Sequence, residues 1–219
     1  VATEMYSAGI DRLTHQPLSF SVSETTEGVH IHIIDAELMG KGEKEKKDLY
    51  IEGVQNNGII NHYEYIINSE GTIEIRHVLK PEGKMPLWFP RIGLTLTVSD
   101  ALDQVKWYGR GPQENYPDRK TGYPMGIYAS TVQAMYEPYL MPQDYGLRTD
   151  VRWLQLTTDK GIGLQFKMNE WFNFNIYPYS TDNLTKAMYT YQLQKQKGMT
   201  LNLDYATTGV GCTARGVFG

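Results

Sequence analysis

Residues 59–67 (IINHYEYII) and 72–79 (TIEIRHVL) carry the pattern that decides the fold. Polar and apolar side chains alternate along both segments, which is the two-residue period of a β-strand with one buried face. The four residues between them, NSEG at 68–71, are of the types that favour a tight turn. Two alternating segments joined by such a turn predict an antiparallel β-hairpin.

The same period recurs along the rest of the chain. Alternation predicts further strands over residues 18–22, 29–33, 92–98, 151–156, 162–168, 172–176 and 199–205. One short helix is predicted over residues 181–188, with Ser180 or Thr181 as its N-cap. About nine strands separated by Gly, Pro, Asn and Asp predict an all-β protein, built as an antiparallel sandwich or barrel. No linker or internal repeat divides the chain, so a single domain over residues 1–219 is expected.

Two segments lack this alternation. Residues 41–48 form a run of charges of both signs, which predicts a solvated hairpin tip. Residues 109–143 are rich in Pro, Gly and Tyr, and they are predicted to form a long loop. Loops of that length inside a domain are usually functional or packed against another element.

Composition excludes several classes of function. The 219 residues have a formal net charge of -4 without a cluster of basic residues, so no nucleic-acid partner is expected. No run of about 18 apolar residues is present, so no membrane span is expected. The single cysteine, Cys212, excludes an internal disulfide and leaves both a cytoplasmic and a periplasmic location in a bacterium open. The 16 tyrosines and 4 tryptophans suit sheets, and they also suit surfaces that bind sugars or other domains.

Histidines close together in the sequence could be metal ligands. His30 and His32 are two residues apart on one strand face, as metal ligands sometimes are, but their spacing indicates no third ligand. The ordinary position of histidine on a half-exposed strand is the favoured interpretation, and it applies to His62 and His77 as well. No metal site is therefore predicted. Cys212 stands in a Gly-rich segment without a histidine nearby, and it is not predicted to be reactive.

Two polar and aromatic clusters, at residues 113–119 and 136–148, admit two interpretations. Amides, carboxylates and rings together can bind a sugar. They can equally form a buried network that holds a long loop, with Glu114 or Asp118 paired to Arg119, and this structural interpretation is favoured. The preceding residues 109–111 (GRG) do not predict a phosphate loop, because Pro112 removes a backbone N–H and no helix follows.

Residues 107–119 (WYGRGPQENYPDR) resemble the signature W-x-G-x-G-P-x-E-x-Y-x-D-R in the C-terminal domain of large β-galactosidases of glycoside hydrolase family 2. Residues 90–94 and 136–148 resemble the segments before and after the signature, and residues 172–174 and 201–211 resemble the last strands. The resemblance covers residues 88–211, and the first 87 residues fit more loosely.

The resemblance implies a fold and a role. The fold is an antiparallel supersandwich related to galactose mutarotases, without strands that the family has at either end of the domain. The role is that of a non-catalytic part of an enzyme that hydrolyses terminal β-galactosides, helping to wall the active site and carrying domain or subunit contacts. Its partners are the rest of the parent chain and, through the whole enzyme, the galactoside, and oligomers are expected.

The resemblance also assigns residues. The catalytic glutamates and the Mg²⁺ and Na⁺ ions of the parent enzyme belong to a barrel elsewhere, so no catalytic residue or cofactor is expected in this chain. Thr200 and Asp204 are the candidates for a substrate-side wall, although a sugar-stacking Trp of some members is replaced by Thr200. The other residues that match the family's motifs, in the signature and in the segment after it, are predicted to be structural: Trp107, Gly109, Gly111, Pro112, Glu114, Tyr116, Asp118, Arg119, Tyr139 and Arg148.

Two alternatives stay open from the sequence. One is a free-standing carbohydrate-binding or aldose 1-epimerase-like protein, which needs an acid–base pair in its cleft. The other is an assembly module whose aromatic loops bind neighbouring domains or subunits. The sequence leaves open which galactoside the parent enzyme hydrolyses, because the barrel decides the chemistry.

Overall fold

The computed structural model describes residues 9–10, 13–39, 57–86 and 89–208. Within them the chain is nearly all β, with two antiparallel sheets, which confirms the predicted fold class. The chain divides into two compact units, an N-terminal unit, Val1–Trp88, and a C-terminal unit, Phe89–Gly219. The single sandwich over residues 1–219 and its relation to mutarotases stay predictions.

The N-terminal unit is a four-stranded antiparallel meander. Its strands follow the chain in the order β1 (Thr14–Thr25), β2 (Gly28–Leu38), β3 (Gly58–Ile67) and β4 (Ile73–Glu82). Strands β3 and β4 are the hairpin predicted from residues 59–79, with Ile67 opposite Ile73. At its turn the side chain of Asn68 accepts hydrogen bonds from the backbone N–H groups of Glu70 and Thr72.

Strand register sorts the side chains of this meander onto two faces. His32 lies opposite Glu64, and His30 lies two residues away on the same face. The neighbouring residues Ile31 and Tyr65 pair with each other on the opposite face. One face of β2 and β3 therefore presents imidazole and carboxylate groups, and the other presents aliphatic and aromatic ones.

The C-terminal unit is a six-stranded antiparallel sheet. Its strands are β5 (Arg91–Val98), β6 (Gln104–Arg110), β7 (Met125–Thr131), β8 (Arg148–Thr157), β9 (Gly163–Tyr177) and β10 (Met199–Thr207). Their spatial order is β5-β10-β9-β8-β6-β7, so β10, the last of the described strands, inserts between β5 and β9. Residues far apart in sequence thereby meet on one sheet face.

An apolar core covers the other face of this sheet. Its fully buried side chains come from β6, β8, β9 and β10 and from Met135 after β7, and each of the large apolar ones contributes about 1.5–3 kcal/mol by leaving water. The largest are Trp107, Phe172, Phe174, Leu154, Leu156, Ile176 and Leu201. On β9 and β10 these residues alternate with polar ones, which places a row of polar side chains on the face away from this core.

The predicted loop at residues 109–143 is wrong in part, because it contains strand β7. This is an edge strand paired with β6 alone, and its exposed side carries Ile127, which is 63% exposed. The apolar residues of β7 therefore do not mark a buried face, and the alternation on which the prediction relied is absent. The start of the predicted loop is wrong as well, because strand β6 includes residues 109 and 110.

Strand β9 corrects a second prediction. Residues 162–168 and 172–176 were expected to form separate strands, but Gly163–Tyr177 is continuous. Against β8, Val151 pairs with Phe172 and Trp153 pairs with Lys167, so β9 carries extra residues at this point. The apparent break in the sequence pattern is thus a bulge within one strand rather than the end of a strand.

The one described α-helix, α1 (Thr181–Lys186), confirms the prediction of a short helix after Ser180. The Ser180 hydroxyl accepts a hydrogen bond from the backbone N–H of Asn183 at 3.1 Å, so Ser180 is the N-cap. The helix ends two residues earlier than predicted, and Leu184 is its buried residue. A 3₁₀ turn, Thr190–Gln192, follows it.

Some predictions fall on residues outside the described ranges. These are the charge run at 41–48, Cys212, and the residues 209–211 that resemble the end of the family domain. Among the described residues, no helix has the length and apolar character that crossing a membrane requires.

Candidate functional site

Glu114 lies at the centre of the signature segment and is buried, with 6% of its surface exposed. Its Oε1 accepts hydrogen bonds from Nη2 of Arg119, at 3.0 Å, and from the hydroxyl of Tyr139. Its Oε2 accepts from the hydroxyl of Tyr116, at 3.2 Å, and from the backbone N–H of Gly146, at 2.8 Å. Four donors occupy the acceptor positions of one carboxylate, so Glu114 links the signature segment to Tyr139 and to the backbone of Gly146.

This geometry decides which acid pairs with Arg119. The partner is Glu114, at 3.0 Å, whereas Asp118 is exposed. The guanidinium of Arg119 also lies 5.6 Å from the ring centroid of Tyr116. Burial, together with the nearby Glu114 carboxylate, raises the pKa of Tyr116 and of Tyr139 well above the ordinary value. Both phenols therefore stay protonated and continue to donate at neutral pH.

Arg148 packs on the other side of the same segment. It is 3% exposed, and its Nη1 donates to the carbonyl oxygen of Gly146 at 2.9 Å. Its guanidinium lies 5.4 Å from the ring of Trp107, a favourable cation–π contact. Burial lowers the pKa of Arg148 to about 10, with the charge of Glu114 opposing the shift. Arg148 is thus still a cation at neutral pH, enclosed by the signature residues.

The glycines of the signature serve close packing. A Cβ atom on Gly109 would lie 2.8 Å from Cγ2 of Val151, and one on Gly111 would lie 2.7 Å from the ring of Tyr128. The peptide bond from Gly111 to Pro112 is cis. The indole N–H of Trp107 donates to a backbone carbonyl three residues on, at 3.0 Å. These placements favour the structural interpretation of residues 107–112.

A second polar cluster lies on the polar face of β5, β10 and β9. The Arg91 guanidinium joins two acids, with Nε 3.0 Å from Oδ2 of Asp204 and Nη2 3.0 Å from Oδ2 of Asp144. Asp204 is 1% exposed, whereas the Asp144 side chain is 40% exposed. Burial raises the pKa of Asp204 to about 7; Arg91 opposes this shift and Asp144 adds to it. The Asp204 carboxyl group therefore titrates near neutral pH.

Hydrogen bonds continue this cluster across the sheet. Asn175 Nδ2 and the Tyr177 hydroxyl both donate to Oδ1 of Asp144, at 2.8 and 3.0 Å. Asn202 Nδ2 donates to Oδ1 of Asn175 at 2.8 Å, and the Thr95 hydroxyl donates to Oδ1 of Asn202 at 2.8 Å. Such a connected network holds three strands and the segment around Asp144 in one arrangement.

Thr200 and Asp204, the predicted wall residues, lie on one face of β10 and both are buried. The Thr200 hydroxyl donates to the backbone oxygen of Tyr179 at 2.7 Å and accepts from Gln196 at 2.9 Å. A hydroxyl that is bonded in this way is held in place by its neighbours. A contact of either residue with substrate stays a prediction.

Sequence reasoning singled out only Asp204 in this network and included Asp144 in the cluster at residues 136–148; it missed the other members, Arg91, Thr95, Asn175, Tyr177 and Asn202. A signal for part of it was present, since polar residues alternate with Phe172 and Phe174 on β9 and with the leucines of β10. That alternation was used to place the strands, and the polar half of each pattern was left unassigned.

The short segment at residues 144–148 joins the two clusters. Asp144 belongs to the sheet-face network, and the backbone of Gly146 donates to Glu114. Asn175 Nδ2 donates to the backbone oxygen of Tyr145 at 3.0 Å, so the intervening residue is also held. The Glu114 cluster and the sheet-face network are therefore joined through this segment.

Elsewhere in the C-terminal unit, a depression lies between β6, β7 and β8, lined by residues that include Gln104, Lys106 and Gln155. Its lining contains no Asp, Glu, His or Cys. It therefore offers no carboxyl, imidazole or thiol group, and the Lys106 amine and the Ser130 hydroxyl in its lining have no such partner there to activate them.

In the N-terminal unit, His30 and His32 lie beside Glu64, and one ligand atom from each residue lies within 4.8 Å of the others. The third potential metal ligand that spacing could not indicate is thus present on the neighbouring strand. These three side chains are the group of His, Cys, Asp and Glu residues that could hold a metal ion among the described residues.

Comparison with known proteins agrees with the resemblance seen in the signature segment. The family model described as "Beta galactosidase small chain" matches residues 6–217. The chain is 38% identical to a β-galactosidase of Priestia megaterium over 67% of this chain and 14% of that protein. It is 31% identical to a β-galactosidase of Vibrio cholerae over 94% of this chain and 18% of that protein.

A third relative, a β-galactosidase of Pseudoalteromonas haloplanktis, is 34% identical over 67% of this chain and 14% of its own length. The chain thus spans 14% to 18% of the length of these relatives. The match of the family model over nearly the whole sequence shows that the chain belongs to the β-galactosidase small-chain family.

Proposed function

We propose that this chain is a non-catalytic β-sandwich component of a β-galactosidase, and that the rest of the parent protein hydrolyses terminal β-galactosides. In this proposal the chain helps to wall the active site and contacts the rest of the enzyme. The family match and the relatives named β-galactosidase support it. Their much greater length leaves ample sequence for a separate catalytic domain.

The observation that carries the non-catalytic role is the pairing of the carboxylates in the C-terminal unit. Glycosidases hold two carboxyl groups about 5–10 Å apart, with the scissile bond between them. In this unit, by contrast, Asp144 and Asp204 share one guanidinium, and Glu114 accepts four hydrogen bonds. Each of these acids is thus bonded to groups of its own unit.

Asp150 follows the same rule. It receives Nε of Arg110 and, at 2.8 Å, Nζ of Lys120. Although burial alone would raise the pKa of Asp150, the hydrogen bonds from these two cations hold it below its ordinary value. A carboxylate that is ionised and bound between two cations is poorly suited to act as a general acid.

The histidines argue against the epimerase-like alternative. All five occur between His15 and His77, in the N-terminal unit. The polar face of β5, β10 and β9 therefore draws on a stretch of sequence without histidine. A His–carboxylate pair for proton transfer at the sugar ring cannot be built from that stretch alone.

Exposed aromatic side chains support contacts with the rest of the parent protein. Tyr189 and Tyr191 are 57% and 79% exposed, with their rings stacked 5.4 Å apart. Leu140 is 96% exposed, and Trp171 is 55% exposed. Large apolar groups in such positions are typical of surfaces that another domain or subunit covers. We assign Tyr189 and Tyr191, the tyrosine pair, to such a contact.

Burial also defines the role of the predicted wall residues. Because Thr200 and Asp204 are buried and bonded within the unit, they would act by holding the wall in shape. Direct contact with the sugar would then fall to side chains that surround them at the surface.

Activity measurements test the proposal. The purified chain is expected to show no turnover of a chromogenic β-galactoside, while the complete parent protein hydrolyses it. Deleting this chain from the parent is expected to reduce kcat/KM strongly. Turnover by the chain alone that persists through purification, and that is lost on replacing Asp144, Asp204 or Glu114 by the matching amide, would contradict the non-catalytic role.

Calorimetry distinguishes the alternative. A carbohydrate-binding or epimerase-like protein is expected to release or absorb heat on titration with millimolar galactose, whereas an inert component is not. Conversion of α- to β-galactose, followed by polarimetry, would establish the epimerase function directly.

A further inference from the structure

We propose that His30, His32 and Glu64 form a binding site for a divalent transition-metal ion, with Zn²⁺ as the reference ion. The register of β2 and β3 places His32 directly opposite Glu64. His30 lies two residues along β2 and therefore projects from the same face. The three side chains thus converge from two strands that a regular hydrogen-bond ladder holds together.

The distances between the potential ligand atoms suit one ion. His30 Nδ1 is 3.6 Å from Oε1 of Glu64, and His32 Nε2 is 3.9 Å from the same oxygen. Tetrahedral zinc, with bonds of about 2.0–2.1 Å, holds its ligand atoms roughly 3.3 Å apart. The two distances to Glu64 therefore need to shorten by about half an ångström, and the histidine ligand atoms, which lie within 4.8 Å of each other, need to approach to the same separation. His32, whose side chain is 50% exposed, is free to rotate by that amount.

Of the supporting contacts that metal sites use, the one behind Glu64 is formed, and the one behind His30 needs Glu27 to move closer. A metal-bound histidine normally directs its second ring nitrogen to a carboxylate. His30 Nε2 is buried without a hydrogen-bond partner among the described residues, and the nearest carboxylate oxygen, Oε2 of Glu27, is 3.9 Å away. Oε2 of Glu64 accepts from Nη1 of Arg76 at 3.0 Å, which orients the carboxylate and leaves Oε1 for the ion.

The ligand types select the class of ion. Two imidazoles and one carboxylate suit Zn²⁺, Ni²⁺ or Cu²⁺, whereas Mg²⁺ prefers oxygen ligands alone. Three protein ligands leave one coordination position for water on the exposed side of His32. The charged groups around the site are the carboxylates of Glu27, Glu64 and Glu74 and the guanidinium of Arg76, so the surroundings favour a cation.

The proposal reverses the expectation from sequence, which was that the chain holds no metal. The two histidines were visible in the sequence, but the third ligand lies 32 residues beyond His32, on another strand. The spacing of residues along one strand cannot reveal a ligand that comes from its neighbour. Strand register supplies it.

Isothermal titration calorimetry with ZnCl₂ tests the site, using the full chain with Cys212→Ser so that the thiol does not bind the ion. One Zn²⁺ per chain is expected. His30→Ala, His32→Ala and Glu64→Gln are each expected to weaken binding at least tenfold, and Glu27→Gln about tenfold, as for carboxylates that orient a ligand. Co²⁺ in place of Zn²⁺ is expected to give a visible absorption band that the His32 variant loses.

The matched control is His15→Ala. His15 is 64% exposed and also lies near a glutamate, with Nδ1 3.7 Å from Oε1 of Glu37, yet it lacks a second histidine. This variant is expected to bind Zn²⁺ as tightly as the chain that keeps His15. MgCl₂ at 10 mM, on the order of typical assay buffers, is expected not to compete, because the site selects nitrogen-binding ions.

Equal Zn²⁺ affinity of the Cys212→Ser chain and of the same chain with His30→Ala and His32→Ala would overturn the proposal. The absence of Zn²⁺ binding by the Cys212→Ser chain would overturn it too. Circular dichroism establishes that each variant is folded. If replacement of the largely buried His30 unfolds the chain, the exposed His32→Gln change alone still decides the question.

Discussion

Glu114 holds the signature segment together, because its two oxygens accept hydrogen bonds from Arg119, Tyr139, Tyr116 and the backbone of Gly146. The charge also acts at a distance, since it favours the protonated form of the buried Arg148. Loss of this one negative charge would leave several donors facing a poorer acceptor. A buried arginine would lose a compensating anion as well.

We expect Glu114→Gln to lower the free energy of unfolding by about 2–4 kcal/mol at pH 7, because an amide accepts fewer hydrogen bonds and carries no charge. Urea denaturation followed by circular dichroism measures the change. Asp118→Asn is the matched control, since Asp118 is exposed and belongs to the same segment. It is expected to change stability by less than about 0.5 kcal/mol. Similar values for the two variants would contradict the central role of Glu114.

The Asp204 carboxyl group makes stability depend on pH. Its pKa is raised to about 7 in the folded chain by burial, and that of an unfolded aspartate is about 3.9. The folded state therefore holds the proton more tightly. The stability that this proton contributes is complete below about pH 4 and is lost as the pH rises towards 7.

We compare the free energy of unfolding of the unsubstituted chain with that of Asp204→Asn. The difference is expected to fall as the pH rises from about 5 to 7, by up to about 1.4 kcal/mol per pH unit. The asparagine variant removes this titration and serves as the reference, so other groups cancel in the comparison. Urea unfolding at several pH values measures both proteins. A difference in stability that stays constant across this range would show that Asp204 does not titrate there.

At the scale of secondary-structure elements, the pairing of β5 with β10 leaves no room for a side chain at Gly93. A Cβ atom at this position would lie 2.4 Å from the backbone oxygen of Leu203 and 2.6 Å from Cα of Asp204. These are backbone atoms of a strand that is paired on both sides, so they cannot move aside without disturbing the sheet.

We therefore expect Gly93→Ala to destabilise the chain by about 1–3 kcal/mol through overpacking. Gly122→Ala is the control, because Gly122 has no heavy atom within 4 Å of the added Cβ position. Thermal denaturation of the two variants measures the effect. Equal midpoints would show that the two strands separate more easily than their pairing indicates.

Strands with a regular alternation of polar and apolar residues were predictable from sequence, including the edge strands β1, β4 and β5, and irregular ones were not. The hairpin of β3 and β4 was predicted because Tyr63 and Tyr65 alternate with polar residues. Strand β7 was not predicted, because it exposes Ile127 and lacks a regular apolar side. The bulge in β9 likewise interrupts the two-residue period without ending the strand.

At the scale of the whole molecule, the tyrosine pair is the surface that we propose to contact the rest of the parent protein. We expect the double variant Tyr189→Ser/Tyr191→Ser to fold normally, because both side chains are largely exposed. Its affinity for the remainder of the parent enzyme is expected to fall at least tenfold, or about 1.4 kcal/mol. Co-purification and calorimetry measure the association.

Ile162→Ser is the control for this prediction. Ile162 is 73% exposed and lies in the turn between β8 and β9. The Ile162→Ser substitution removes an exposed apolar side chain from another segment, and it is expected to leave the association unchanged. Equal binding of all three proteins would show that the tyrosine pair does not contact the parent enzyme.

The sequence by itself determined most of the strand pattern, the hairpin at Asn68, the short helix after Ser180 and the family signature at residues 107–119, because each depends on neighbouring residues. Only the tertiary structure decided that Arg91 bridges Asp144 and Asp204. It alone also decided that Glu64 joins His30 and His32, and that Glu114 rather than Asp118 binds Arg119. These pairings join distant parts of the chain or depend on side-chain burial, and strand order and register bring them about. A one-dimensional pattern of residues does not contain that information.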